Sequence, residues 1–254
     1  MPSKFTIAPL ALAALLCASF AAQAQEQSVR IGVTGPLSGA NAFAGKDNEN
    51  GVRLAVEELN TQKIKVAGKT LRFELQSEDD AGDPKQGVTV AQKLVDGGVK
   101  FVLGPYNSGV AIPASRVYND AGALMSTVGT NPKITQSGYK GVFRIVASDS
   151  QVGGAMASYA ARELKLKNVG VIDDRTAFGT GIATEFKRQA QAAGLKVAGH
   201  EFTNDKASDF AAILTALRAK KVDAVFFGGY APQAAPMVRQ MKALGLNVPL
   251  LGGD

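Results

Sequence analysis

Cysteine and histidine occur once each in this chain of 254 residues, and tryptophan not at all. Cys17 has no second thiol to pair with, so an internal disulfide is excluded and the fold must be held by packing. A transition-metal centre would have to be built from carboxylates around the single imidazole of His200, and no acidic set has ligand spacing. Nucleophilic catalysis is as poorly provided for, because no G-x-S-x-G elbow exists and His200 reads as lying within a strand, beside Gly199 and Glu201. The nearest approach to a phosphate loop, Gly39 to Lys46, has five residues between its glycines and Asp47 where a hydroxyl is needed. Apart from Ile7 to Phe20 there is no long apolar run, and that one falls short of the ~20 residues of a membrane-spanning helix. Charge of one sign is not concentrated either. Lys and Arg number 28 against 22 acidic residues, but they are scattered singly, so the net +6 reads as solvated surface and no nucleic-acid partner is expected. An enzyme, a cofactor or a metal is not expected from this inventory.

What is present begins with an export signal. Lys4 supplies the positive end, Ile7 to Phe20 the apolar stretch, and Ala22-Gln23-Ala24 the small residues of a cleavage site, so residues 1–24 are expected to be removed on the way to the periplasm. Leu16 stands before Cys17 where lipid attachment would want a small residue, so the thiol reads as filler of the apolar stretch.

Beyond the signal, short β-branched runs alternate with stretches whose apolar residues recur at helical spacing. Val29–Val33, Leu71–Gln76, Phe101–Leu103 and Ala123–Ser126 predict strands; Asn48–Leu59, Pro84–Asp96 and Ser108–Asp120 predict amphipathic helices, with Asp83 capping the second and Pro84 at its first position. After Phe143–Val146 the alternation repeats. Helices are expected at Ser150–Leu164, Thr180–Ala193, Phe210–Ala219 and Pro232–Leu244, and strands at Val169–Ile172, Lys196–Glu201, Ala224–Phe227 and Pro249–Leu251. Strand, crossover helix and parallel strand imply a sheet covered on both faces. The expectation is an α/β protein of two doubly wound parallel-sheet lobes, residues 25–145 and 146–254, joined near Phe143–Ser148. Because the sequence stops at Asp254 directly after a strand, the second lobe is expected to be incomplete and the chain truncated.

Ligands of open α/β sheets sit beyond the carboxyl ends of the strands. The loops there carry Gly, Ser, Thr, Asn and aromatic residues. Asn107-Ser108 joins a strand to a helix N-terminus, where a hydroxyl, free amides and the helix dipole favour a carboxylate, although the same residues serve equally as a plain helix cap. Val128-Gly129-Thr130 ends the next strand and offers further amides and a hydroxyl beside it. Asp79-Asp80, in Glu78-Asp79-Asp80-Ala81-Gly82-Asp83-Pro84, reads as turn and cap chemistry before any acid–base role.

Gly35-Pro36-Leu37-Ser38-Gly39, Asp79-Asp80-Ala81-Gly82-Asp83-Pro84-Lys85-Gln86, Phe178-Gly179 and Gly228-Gly229-Tyr230 carry a resemblance that runs from about Val29 to Asp254. The chain resembles the periplasmic binding proteins of the branched-chain amino acid type, solute receptors of ABC importers with the type I bilobal fold. That resemblance implies a monomer that binds leucine, isoleucine or valine between its lobes and delivers it to an ABC permease in the inner membrane. It implies that Ser108 and the amides of Val128, Gly129 and Thr130 hold the ligand carboxylate, that Phe43, Tyr106, Asn107 and Phe178 wall its side chain, and that Tyr230 and Asp254 meet its ammonium. Phe43 and Phe178 fall where tyrosine is found in well-known members, and Asp254 where glutamate is found. An aromatic amino acid, a small amide or an organic acid is the alternative ligand. A cysteine pair of some members corresponds to Gly82 and Asn107, so both partners are lost together. A repressor built on the same core would need a DNA-binding headpiece before Val29, where the export signal stands.

Overall fold

The structure, a computed structural model, describes residues 26–253; the export signal and Asp254 lie outside them. The first half runs β1 (Glu26–Gly35), α1 (Ala42–Thr61), β2 (Lys65–Val66), β3 (Lys69–Asp79), α2 (Pro84–Asp96), β4 (Phe101–Leu103), α3 (Ser108–Asp120), β5 (Leu124–Thr127), α4 (Lys133–Gln136) and β6 (Val142–Arg144). The second runs α5 (Asp149–Arg162), β7 (Asn168–Asp173), α6 (Ala177–Ala192), β8 (Lys196–Phe202), α7 (Ala211–Ala219), β9 (Ala224–Gly228), α8 (Ala231–Ala243) and β10 (Leu250–Gly252). Two sheets result, ordered β2-β3-β1-β4-β5-β6 and β10-β9-β7-β8. The chain passes from one to the other between Arg144 and Asp149.

Local chemistry explains most boundaries. Asp83 accepts from the N–H groups of Lys85 and Gln86 at 2.9 and 2.8 Å and opens α2. Ser148 and Gln151 form a reciprocal capping box that opens α5. Two elements escape the sequence pattern. Ala67 and Gly68, at φ +49° and +80°, turn the chain back in a two-residue hairpin, so β2 pairs antiparallel with β3 at the sheet edge, and alanine there gives no turn signal. The single turn α4 is too short to show a period. Helix α6 begins at Ala177, three residues before the Thr180 expected, because Thr176 accepts from the Gly179 N–H at 2.9 Å. That early start places Phe178 and Gly179 in the first helical turn.

The second sheet is sandwiched. On β7 and β9 the period of two sends Val169, Val171, Ala224 and Phe226 toward α5 and α6, and Ile172, Val225 and Phe227 toward α7 and α8. Phe186 of α6 stacks on Phe226 with ring centroids 3.9 Å apart. The first sheet packs one face, through Val102, Met125 and Val142, on α2 and α3. Its other face is covered by α1 over β1 and β3, while Phe101, Leu124, Phe143 and Ile145 stay exposed among the described residues.

Candidate functional site

Each sheet has one place where strand order reverses: between β1 and β4 in the first, between β7 and β9 in the second. Such switch points leave a crevice at the carboxyl ends of the strands. Here the two crevices face each other across one cleft of about 720 Å³. Gly39, Ala40 and Asn41 after β1, and Asn107 after β4, line one wall; Asp174, Arg175 and Thr176 after β7, and Tyr230 after β9, line the other. The first turns of α3 and α6 meet at its floor, where a Cβ on Gly109 would lie 3.8 Å from that of Ala177. Two helix N-termini therefore adjoin at one spot, and the positive ends of their dipoles favour a carboxylate there.

Ser108 is buried in the first turn of α3, and its Oγ accepts the N–H of Asn131 at 3.3 Å. The loop after β5 thus lies against it, as two neighbouring strand ends require. Within that loop the amides differ. The Gly129 N–H already donates to Thr127 Oγ1 at 2.9 Å, and Thr130 O accepts from the Asp149 N–H. Val128 lines a separate, apolar groove between α1 and the sheet. Asn107 caps α3 without a side-chain bond, and its buried Oδ1 meets no donor among the described residues. A Cβ on Gly82 would lie 3.3 Å from that oxygen, so these two positions do adjoin.

Aromatic residues from both lobes meet beside the cleft. Tyr230 lies 6.0 Å from Tyr106 and 5.0 Å from Phe178, centroid to centroid, with Phe178 and Tyr230 buried and Tyr106 half-buried. Phe43, in the first turn of α1, is 59% exposed and does not join them. Asp254 lies outside the described residues.

His200 sits on the edge strand β8, between Asp173 at 2.6 Å and Lys187 at 3.3 Å, and is not part of the cleft lining. Asp79 accepts from the N–H groups of Leu37, Ser38 and Ala81, and so organises the turn. Burial pushes its carboxyl up, but the Ser38 hydroxyl and these N–H groups outweigh that and hold it below its ordinary value. The lining residues Asn41, Arg175, Thr176 and Asn204 to Lys206 escape sequence reading. For Asp174 to Thr176 a signal existed, since they directly follow a strand.

Asp80, Asp149 and Asp174 are buried deeply enough that each carboxyl is pushed up to about 6, for Asp80 and Asp174 against hydrogen bonds from Gly82 and Thr176. A carboxyl that binds its proton more tightly in the folded state contributes stability that is full below about pH 3.8 and is lost as pH rises through about 6. Thermal unfolding should therefore show these groups making the protein more stable at pH 5 than at pH 7.5, by about 1.4 kcal/mol for each. Asp80→Asn, which keeps the acceptor for Gly82, should flatten the profile. A profile identical to that of the wild type would mean that Asp80 stays ionised.

Residues 28–254 match the family described as periplasmic binding protein. The Leu/Ile/Val-binding protein BraC3 of Rhizobium johnstonii is 39% identical over 96% of this chain. The leucine-, isoleucine-, valine-, threonine- and alanine-binding protein of Pseudomonas aeruginosa is 38% identical over 95%. The chain spans 66% and 65% of those two relatives, slightly under two thirds of their length. Among solved structures, the leucine-binding protein LivK of Thermotoga maritima superposes with a TM-score of 0.81 at 27% identity, covering 88% of this chain and 63% of that one. LivJ of Streptococcus pneumoniae, in complex with isoleucine, gives 0.80 at 26% identity, covering 89% and 64%.

Proposed function

The chain belongs to the periplasmic binding protein family, and from that membership we propose that it is an exported receptor for an aliphatic, branched-chain amino acid. Its lobes, residues 25–145 and 146–254, close on the ligand and present it to an ABC permease of the inner membrane. The observation that carries this reading is the pair of switch points facing each other across one cleft, each bringing a helix N-terminus and an aromatic side chain. The names of the relatives, which specify leucine, isoleucine and valine, support the ligand class. Ser108 and Thr130 take the carboxylate, since the Gly129 N–H is already given to Thr127 and Val128 lines a separate groove. Tyr106, Asn107 and Phe178 take the side chain, and Tyr230 with Asp254 takes the ammonium. The cleft offers hydrogen-bond donors beside apolar rings, the surroundings that a receptor for a small zwitterion needs. Binding energy would come from contacts to both lobes at once, which is what makes the ligand favour the closed form.

Apolar fit should then rank the ligands. Leucine carries three more carbons than alanine, and at about 0.8 kcal/mol for each buried methylene it should bind roughly fiftyfold more tightly. Calorimetric titration with leucine, isoleucine, valine, alanine, phenylalanine and glutamate tests this. Equal binding of alanine and leucine, or a preference for glutamate, would refute an apolar wall.

A further inference from the structure

We propose that Asn131 is a positioning residue, a tie between the carboxylate loop of the first lobe and helix α6 of the second, which sets the angle at which the cleft rests. The inference rests on the receptor reading above and adds to it a residue that touches neither carboxylate nor side chain of the ligand.

Asn131 is buried, and its polar groups are committed in three directions. Its N–H donates to Ser108 Oγ at 3.3 Å, its Oδ1 accepts the N–H of Lys133 at 3.0 Å, and its Nδ2 donates to the carbonyl of Ala177 at 2.7 Å. The first two bonds hold the loop in its own lobe. The third crosses to the other lobe and ends on the residue preceding Phe178. One residue, through its backbone N–H and its side-chain amide, therefore connects the hydroxyl proposed for the carboxylate to the helix turn that carries the second lobe's aromatic residue.

The surroundings make this contact a seam and not a surface bond. Asp149 opens α5 directly after the passage between the sheets, and its N–H donates to Thr130 O at 3.0 Å, one residue from Asn131. Across the seam lies Gly181 of α6. A Cβ there would stand 2.4 Å from Asp149 Oδ2 and 2.6 Å from Asn131 Nδ2, so both side-chain tips would have to move aside. Glycine at 181 thus leaves room for the Asn131 amide where it reaches α6, and the contact lies beside the segment that crosses between the two sheets. A hinge whose rest angle is fixed by one buried bond shifts its open and closed populations when that bond is removed.

The test measures the angle without ligand. Paired spin labels at Lys46→Cys and Asp209→Cys, exposed residues of the two lobes, report the interlobe distance by pulsed electron resonance, and the single native thiol Cys17 is replaced by serine. Asn131→Asp keeps the acceptor for Lys133 and the backbone bond to Ser108 but sets a carboxylate against the Ala177 carbonyl. Asn131→Ala removes the donor altogether, and Gly181→Ala wedges the seam from the other side. All three should move the ligand-free distance to longer values, with leucine affinity falling roughly two- to tenfold in Asn131→Ala. Distance distributions that superpose on the wild type in Asn131→Asp and Gly181→Ala, with circular dichroism showing both folded, would overturn the tie. A role confined to stability would lower the melting temperature and leave those distances alone. The receptor reading fails separately, if leucine does not shorten the distance in the unsubstituted protein.

Discussion

Replacing Gly228 by alanine should lower the stability of the second lobe by about 3 kcal/mol, the upper range of overpacking costs, and the melting temperature by roughly 10 °C. The reason is a close approach of two backbones. A Cβ on Gly228 would stand 2.3 Å from Gly179 O, and one on Gly179 would stand 2.5 Å from Gly228 O and 2.1 Å from Asp174 Oδ1. No side chain can rotate out of the way at Gly228, so helix α6 would have to back off strand β9. Its retreat would part Phe178 from Tyr230 and loosen the stack of Phe186 on Phe226. Ligand affinity should fall with stability, because Phe178 and Tyr230 would no longer share a wall. Gly51→Ala is the control: that glycine lies in α1 with nothing within 4 Å of a built Cβ, so alanine should raise the melting temperature slightly. Thermal unfolding of both variants decides the matter. A melting temperature for Gly228→Ala equal to that of the wild type would show that α6 can retreat without loss.

Ser108→Ala should weaken leucine binding ten- to a hundredfold while leaving the fold intact. A hydrogen bond to a charged group contributes about 1.5–3 kcal/mol, whereas among the described residues the same hydroxyl accepts one long N–H bond, from Asn131 at 3.3 Å. The change in affinity should therefore exceed the change in stability, and calorimetry beside a thermal melt separates the two. Affinity unchanged by the substitution would remove Ser108 from the carboxylate site and leave it a helix residue that supports the neighbouring loop.

The pattern of elements was legible because it depends on neighbours in sequence. Alternation at period two marks β7 and β9, apolar spacing marks the helices, and Asp83-Pro84 states where α2 begins. The two exceptions are of a kind that local patterns do not record: a hairpin turned by Ala67 with Gly68, and a helix of one turn. Phe178-Gly179 and Gly228-Gly229-Tyr230 stand out in the sequence as motifs, but their reason is tertiary. The glycines permit contact between a helix and a strand that are 49 positions apart, which brings the two aromatic rings together.

By itself, then, the sequence determined the α/β class, the doubling of the alternating pattern and the ends of strands from which a site would be built. Those properties follow from short-range periodicity, capping and composition. The tertiary structure decided which strand ends face one another, that Phe43 stands apart while Tyr106, Phe178 and Tyr230 converge, and that the amide of Gly129 is already engaged by Thr127. It also decided the place of Asn131, an unremarked residue in a Thr-Asn-Pro run, as the side chain that bridges to Ala177. These outcomes turn on strand order and on the packing of one lobe against the other, and both are set by contacts between residues far apart in the chain, which no local pattern encodes.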